Sequence, residues 1–358
     1  MHSIVSDQKR VAVGLSGGVD SSVAAYLLKE QGYDVVGVHL QCWDARADGC
    51  KAEEDRAYAV RTVAHLGIKF EHIDYQAQYK DKVIEYFYKE YASGRTPNPD
   101  VMCNKEIKFG LFFDWAVENG FDYVATGHYA RILHCHDQIS LLKGSDPSKD
   151  QSYFLYLLDQ EHLAKTLFPI GDMYKKDVRE IAKNENLPAF NRPDSTGICF
   201  IGEVDIKEFL KQKLKVEKGN VIDINGNVIG EHDGAWFYTI GQRHGFKINK
   251  YQGVPVYIID KNNDKNELIV GSEKDAEKSS FKASNLHWIS GTKPANTSDL
   301  FDCDVRIRHL GKIQPAKVKI NKSNTANIDL SESMFAVAPG QSVVFYRGDE
   351  VLGGGIIN

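Results

Sequence analysis

The chain reads as an α/β protein: a doubly wound parallel sheet over residues 1–215, a small β-domain over 216–279 and a C-terminal β-barrel over 280–358. Three observations predict this. Short β-rich apolar runs alternate with amphipathic helical patterns through the first half, the signature of strand–helix–strand units and a parallel sheet. A turn of glycine and serine joins the first apolar run to the first helical pattern. After Lys215 the helical periods stop, and short alternating strands separated by turn residues take over.

Taken in order, residues 11–15 are the first strand and 21–30 the first helix, with Ala24, Ala25, Leu27 and Leu28 as its apolar face. Residues 34–40 form the second strand, 53–66 a helix bearing Ala57, Val60, Ala64 and Leu66, and 68–73 the third strand. An aromatic-rich helix over 80–91 and another over 107–117, ended near Gly120, precede a fourth strand at 123–126. Residues 129–142 read as a hairpin, followed by a polar loop at 144–151 and helices at 153–158, 163–168 and 175–186. The last carries Val178, Ile181 and Ala182 inward, with Lys175, Lys176, Arg179 and Lys183 around them as a candidate RNA-facing surface. In the tail, Asn225-Gly226 between alternating runs signals a two-residue hairpin, and 256–260 with 268–270 a second one. Strands at 287–290, 302–308, 316–320, 326–330, 342–346 and 351–357 complete the reading. Alternation places Arg306 and Arg308 on one strand face.

In doubly wound sheets ligands lie beyond the carboxyl ends of the strands. Ser16-Gly17-Gly18-Val19-Asp20-Ser21 stands there, and it suits phosphate. Glycines let the backbone approach oxygen, and the first helical N–H groups point at the anion. Ser16 and Ser21 add hydroxyls, and Asp20 is placed to hold magnesium. The string lacks the lysine of the ATPase P-loop and is not Gly-x-Gly-x-x-Gly. It resembles the pyrophosphate loop of ATP pyrophosphatases. Leu40 and Gly127, at the ends of neighbouring strands, are candidate walls for an adenine ring. The polar loop between Cys42 and Cys50 is left undecided.

Two further stretches carry sulfur. In the segment 95–105, two prolines force an extended path, so a helix starting near Asn104 leaves Cys103 at its N-terminus, where a thiol pKa falls. Asp100, three residues earlier, is a proton carrier. In the segment 192–202, glycines flank Cys199, which suits access by another sulfur donor. Packing is the competing reading for both cysteines. Lys149 and Gln151 contact phosphate or a base, with helix capping by Ser148 or Asp150 the alternative.

Composition sets outer bounds. A hydrophobic share of 42% and a charged share of 26% describe an ordinary globular chain. No run approaches the ~18 apolar residues of a membrane span, and no secretory leader is evident, which places the chain in the cytoplasm. Six cysteines without a Cys-x-x-Cys pair argue against a disulfide framework, a zinc ribbon and an iron–sulfur cluster. His134-Cys135-His136 lies on a hairpin strand, where neighbours point to opposite faces, and so makes a poor metal site. A net charge of −5 confines any RNA contact to local basic patches.

Seven strings together resemble the bacterial tRNA-specific 2-thiouridylase family of the ATP pyrophosphatase (PP-loop) superfamily. They are Gly14-Leu-Ser-Gly-Gly-Val-Asp-Ser21, residues 96–109, Ala125-Thr-Gly-His-Tyr129, Lys149-Asp-Gln-Ser-Tyr-Phe-Leu155, residues 194–202, Thr239-Ile-Gly-Gln-Arg243 and Pro339-Gly-Gln341. The resemblance implies adenylation by ATP of the C2 oxygen of uridine 34 in tRNAs for lysine, glutamate and glutamine. ATP would sit on residues Gly14, Leu15, Ser16, Gly17, Gly18, Val19, Asp20 and Ser21 with Leu40 and Gly127. Cys199 would carry a persulfide from a donor protein, and Cys103 would end in a transient disulfide with it. Asp100 would be the acid/base. Asn98, Pro99 and Asp100 would meet the target base, and His128, Lys149, Asp150, Gln151, Arg306, Ile307 and Gln341 the tRNA. The family often has an aromatic residue where Ile307 stands, which gives Arg308 added weight. A monomer is expected. The main competing class is an ATP-dependent ligase or amidotransferase acting on another nucleotide or acid; a nucleotide sensor or RNA-binding module has no need of the two cysteines.

Overall fold

The computed structural model describes residues 8–43, 52–135, 138–194, 197, 199–202, 205–249, 255–294 and 300–358. Cys50 and His136, named above, lie outside them.

Strand β1 (Arg10–Gly14) is the centre of the first layer. Its Val11, Ala12 and Val13 are fully buried, as a strand covered on both faces requires. It pairs in parallel with β2 (Asp34–Gln41) on one side and β4 (Tyr123–Ala125) on the other. β3 (Lys69–Asp74) extends the sheet beyond β2, and the short strand Thr166–Leu167 beyond β4, both parallel. Chain order therefore reverses between β1 and β4, and the crevice that opens there is the ligand position of such sheets. Helix α1 (Val19–Glu30) and α2 (Ala52–Leu66) pack on one face, through Val23, Ala24, Leu28, Ala59 and Val63. The opposite face is aromatic: Tyr79, Phe87, Tyr91, Phe112 and Phe113.

Helices differ from expectation at their ends. The aromatic helix starts earlier, running through Gln76–Tyr79, a π-wound Lys80–Ile84 and Glu85–Ala92. The next starts at Pro99, runs through Pro99–Cys103 and a π-wound Asn104–Leu111, and ends with Phe112–Glu118. The expected helix at 153–158 is a single 3₁₀ turn, Ser152–Leu155. At 163–168 the helical expectation fails. Helix Gln160–Ala164 ends where the Thr166 hydroxyl bonds the carbonyl of His162 (2.7 Å), and Thr166–Leu167 fills the sheet edge. A free sheet edge outweighed local propensity.

After the helix Ile206–Lys211, a five-stranded sheet holds Gly219–Ile222 against Val228–His232 in the Asn225-Gly226 hairpin, and Tyr257–Asn262 against Glu267–Gly271. Six antiparallel strands then close into a barrel: Glu277–Trp288 pairs with Thr325–Phe335 on one side and with Glu350–Ile357 on the other. Val305, Val318, Ile328, Val343 and Phe345 fill its interior. Strand Ser342–Arg347 is buried on both faces, since Val344 and Tyr346 pack outward against Val101, Phe109 and Tyr153 of the first layer. The hairpin Ala130–Cys135/Gln138–Lys143 adds to the same sheet, Leu141 opposite Val351. Among the described residues no helix is long and apolar enough to cross a membrane.

Arg306 and Arg308 do not share a face. The strand Leu300–Arg306 ends at Arg306, whose side chain turns inward; Ile307 is core, and Arg308 is exposed. Arg306 Nη1 meets Asp150 Oδ2 at 2.6 Å, and both residues are buried. Asp150 Oδ1 also accepts from the backbone N–H of Gly144 and Ser152. This pair therefore joins the barrel to the first layer instead of presenting charge to RNA. Arg306→Met should leave Asp150 an uncompensated buried charge and cost about 3–5 kcal/mol in urea unfolding, with part recovered in the Asp150→Asn/Arg306→Met double variant.

Candidate active site

The turn after β1 holds itself open. Ser21 Oγ receives the N–H of Ser16 (3.2 Å), Ser16 Oγ that of Gly18 (3.3 Å), and Ser22 Oγ bonds the carbonyl of Gly18 (2.9 Å). Gly18 caps α1 without any side-chain cap, so the first helical N–H groups face the crevice. Gly17 has φ +76°, and a Cβ there would lie 2.2 Å from the Asp55 carbonyl oxygen on α2. Gly127 is needed for a different reason: a Cβ would stand 2.7 Å from the Ser21 nitrogen and 2.8 Å from the Asp20 carbonyl carbon. Leu40 is buried with Cys42, and Leu15 packs under the turn. An uncapped helix start between two glycines is a polyphosphate cradle.

Cations surround that cradle. Lys175 Nζ bonds both oxygens of Asp20 (2.6 and 2.8 Å), which also accepts from the Tyr129 hydroxyl (2.9 Å). Asp194 gathers Lys175 (3.1 Å), Lys149 (2.6 Å) and Arg179, and these charges hold its carboxyl well below the usual range. Arg192 bonds the Gly17 carbonyl (3.0 Å) and Asp55 (2.8 Å), tying the turn to α2. Lys175 and Arg179 are thus turned toward Asp20 and Asp194, while Lys176 and Lys183 of the same helix are exposed. Among the described residues no group of three or more acidic, histidine or cysteine side chains is arranged to hold a metal. Asp20 alone with phosphate oxygens is a donor set that magnesium accepts.

The second half of the site is built on the segment before Pro99. Asn98 Oδ1 caps the helix through the N–H groups of Asp100 (3.1 Å) and Val101 (3.2 Å), and Pro99 occupies its first turn, where the missing N–H is harmless. Cys103 therefore lies a full turn inside a helix, fully buried, not at an N-terminus. Its thiol is pushed well up by burial and by the neighbouring Cys199. Cys199 is the partner whose thiol is held below its ordinary value, first by its pairing with Cys103 and then by the Lys108 ammonium. The two thiols are thus shifted in opposite directions.

Cys199 is anchored through its backbone: its N–H donates to Asp100 Oδ1 (3.0 Å), and its carbonyl accepts from the Tyr79 hydroxyl (2.7 Å). Lys108 Nζ lies 3.7 Å from Cys199 Sγ and 3.5 Å from His128 Nε2. His128 is buried, and its Nδ1 is 2.6 Å from Thr126 Oγ1. Burial and the Lys108 charge hold it well below the ordinary imidazole value, hence neutral. Gln341 Nε2 donates to the carbonyls of Thr96 (2.9 Å) and Pro97 (3.2 Å), while Thr239 Oγ1 meets Thr96 Oγ1 (3.1 Å). Gln151 zips its loop to Tyr129.

Three family models cover the chain. The tRNA methyl transferase HUP domain matches residues 9–203, the tRNA methyl transferase PRC-barrel domain 207–272 and the aminomethyltransferase beta-barrel domain 278–357. The tRNA-specific 2-thiouridylase MnmA of Francisella philomiragia is 48% identical over 357 residues, 97% of this chain and 99% of its own. That of Francisella tularensis subsp. novicida is 48% identical over 360 residues, 98% and 99%. The chain belongs to the MnmA family of tRNA-specific 2-thiouridylases. A solved structure, the U34-tRNA thiolase NcsA from Methanococcus maripaludis, is 21% identical and covers 57% of this chain and 66% of its own at a TM-score of 0.36, too partial a likeness to bear on chemistry.

Within this member of the MnmA family, the structure adds residues that sequence reading passed over, Lys108, Tyr79, Thr126, Arg192 and Asp194, and it pairs Lys175, read as RNA-facing, with Asp20. Lys108 stands five residues after Cys103, which in an α-helix would put the two about 140° apart. The π winding of Asn104–Leu111 brings residues five apart onto one face, and no local sequence signal announces it. Gly127→Ala should displace the phosphate turn and weaken binding of an ATP analogue by about tenfold, roughly 1.4 kcal/mol, in titration calorimetry.

Proposed function

We propose that this chain converts uridine 34 of tRNAs for lysine, glutamate and glutamine to 2-thiouridine, spending ATP. The observation that carries the reading is the Cys103–Cys199 pair, with Lys108 and Asp100 around it, in a chain whose family is that of tRNA-specific 2-thiouridylases. The Ser16–Ser21 turn and the cations Lys149, Lys175 and Arg179 receive the triphosphate. The uridine C2 oxygen attacks the α-phosphorus, and pyrophosphate leaves into that cationic pocket. Magnesium held by Asp20 would supply charge balance to the phosphates.

Sulfur follows. A persulfide on Cys199 attacks C2 through its outer sulfur, and AMP leaves with the C2–O electron pair. Asp100 takes the proton of Cys103, whose thiolate then attacks Cys199 Sγ. The outer S–S bond breaks toward the base, leaving 2-thiouridine and a Cys103–Cys199 disulfide, which a thiol reductant reopens. Burial keeps Cys103 protonated until that last step, which prevents early loss of the disulfide-forming partner. The sulfur donor is a persulfide-bearing protein, and the chain works as a cytoplasmic monomer.

Incubation with tRNA, ATP, magnesium and a persulfide source, followed by nucleoside mass analysis, should show 2-thiouridine. Cys199→Ala should give none while still releasing AMP and pyrophosphate; Asp20→Ala should slow ATP use at least tenfold. Wild-type protein that leaves the uridine unchanged, or Cys199→Ala that thiolates it normally, overturns the reading.

A further inference from the structure

The thiol pair sits in a shell of groups contributed by four parts of the sheet domain. Cys103, Lys108 and Asp100 come from the helix that begins at Pro99, Tyr79 from the aromatic helix, Cys42 from the end of β2, and His128 from the turn after β4. Cys42 is buried, and its thiol is pushed far up by burial, so it brings no charge. Tyr79 is likewise kept neutral by burial, and its hydroxyl is committed to the Cys199 carbonyl. His128 is neutral. Among the described residues two charged side chains remain: Asp100, which disfavours a thiolate, and Lys108, which favours one.

We infer that Lys108 is the residue that holds Cys199 as a thiolate and so readies it to take sulfur from an incoming persulfide, a role that rests on the thiolation reading above. The geometry carries this. Lys108 Nζ is 3.7 Å from Cys199 Sγ and 3.5 Å from His128 Nε2, and it lies 5.9 Å over the Phe200 ring. His128 fixes the direction. With Nε2 accepting from Lys108, its hydrogen is on Nδ1, which donates to Thr126 Oγ1 at 2.6 Å. An imidazole held in that tautomer is an acceptor for Lys108 and takes no proton from it. One N–H of the ammonium is thus anchored, and another faces the sulfur.

The step that this serves is balanced within the two reactants. The Cys199 thiolate attacks the outer sulfur of R–S–SH. A new S–S bond forms at Cys199, the donor S–S bond breaks, and the donor leaves as R–S⁻ with the electron pair. The hydrogen stays on the transferred sulfur, and no external oxidant or reductant enters. A neutral Cys199 thiol performs this attack far more slowly, because the thiolate is the nucleophile. Lys108 touches neither tRNA nor nucleotide in this account and acts through Cys199; it is a positioning residue.

The test needs neither tRNA nor ATP, so it separates this inference from the thiolation reading. Reduced full-length protein is alkylated with iodoacetamide from pH 5.5 to 9.5, and the Cys199 peptide is followed by mass spectrometry. Lys108→Met should move the alkylation midpoint of Cys199 up by at least one pH unit, and Lys108→Arg should stay within a few tenths of wild type. Loading of Cys199 with sulfur from inorganic polysulfide at pH 7 should fall about tenfold in Lys108→Met and recover in Lys108→Arg. If Lys108→Met does not fold, Lys108→Gln, which keeps a donor toward His128 but no charge, takes its place with the same expected shift. An unchanged midpoint in the folded uncharged variant overturns the inference, as does loss of loading in Lys108→Arg equal to that in Lys108→Met. Wild-type protein with a low Cys199 midpoint that never thiolates tRNA would overturn the thiolation reading and leave the Lys108–Cys199 charge pairing intact.

Discussion

Two thiols in one shell, shifted in opposite directions, set the terms for the rest of the molecule. Cys103 and Cys199 lie 96 positions apart in sequence, yet each shifts the titration of the other. Which of two neighbouring thiols gives up its proton more readily depends on surroundings. Here the fully buried Cys103 holds its proton more tightly than an ordinary thiol, and Cys199, beside the Lys108 ammonium, holds it less tightly. The asymmetry assigns different work to two chemically identical side chains. The one whose thiol is shifted down is also the more accessible one.

All three parts of the chain brace the segment that delivers Cys103. The Pro339 carbonyl accepts the Thr96 N–H at 2.8 Å, Gln341 reaches back to the Thr96 and Pro97 carbonyls, and Thr239 meets the Thr96 hydroxyl. A stretch with two prolines cannot satisfy its carbonyls within a ladder of its own, so these partners must come from elsewhere. The barrel and the middle sheet therefore position the chemistry as well as any RNA. The Asp150–Arg306 pair performs the same kind of joining one layer away. It explains why charged residues that look like RNA contacts in the sequence are buried in the fold.

The phosphate turn and the segment that leads to Cys199 share one cation, Lys175. Asp194, five residues before Cys199, is gripped by Lys149, Lys175 and Arg179, and Lys175 also grips Asp20 at the phosphate turn.

Much of this was legible in the order of residues alone. The parallel sheet follows from Val- and Ala-rich runs between amphipathic helices, because a strand buried on both faces has no room for polar alternation. The phosphate turn is legible because its work is local: glycines, hydroxyls and a helix start within six consecutive residues. The Asn225-Gly226 hairpin is local in the same sense. What only the tertiary structure decided is every property that depends on neighbours distant in sequence. Two prolines ahead of Cys103 point to a helix N-terminus there; the helix in fact begins at Pro99, and burial reverses the sign of the thiol shift. Lys108 joins the sulfurs only through π winding, Arg306 turns inward only because Asp150 waits there, and Thr166–Leu167 is a strand only because the sheet edge was open. A sequence specifies which groups exist and how they are spaced along the backbone; dielectric, partner and proton belong to the packed interior.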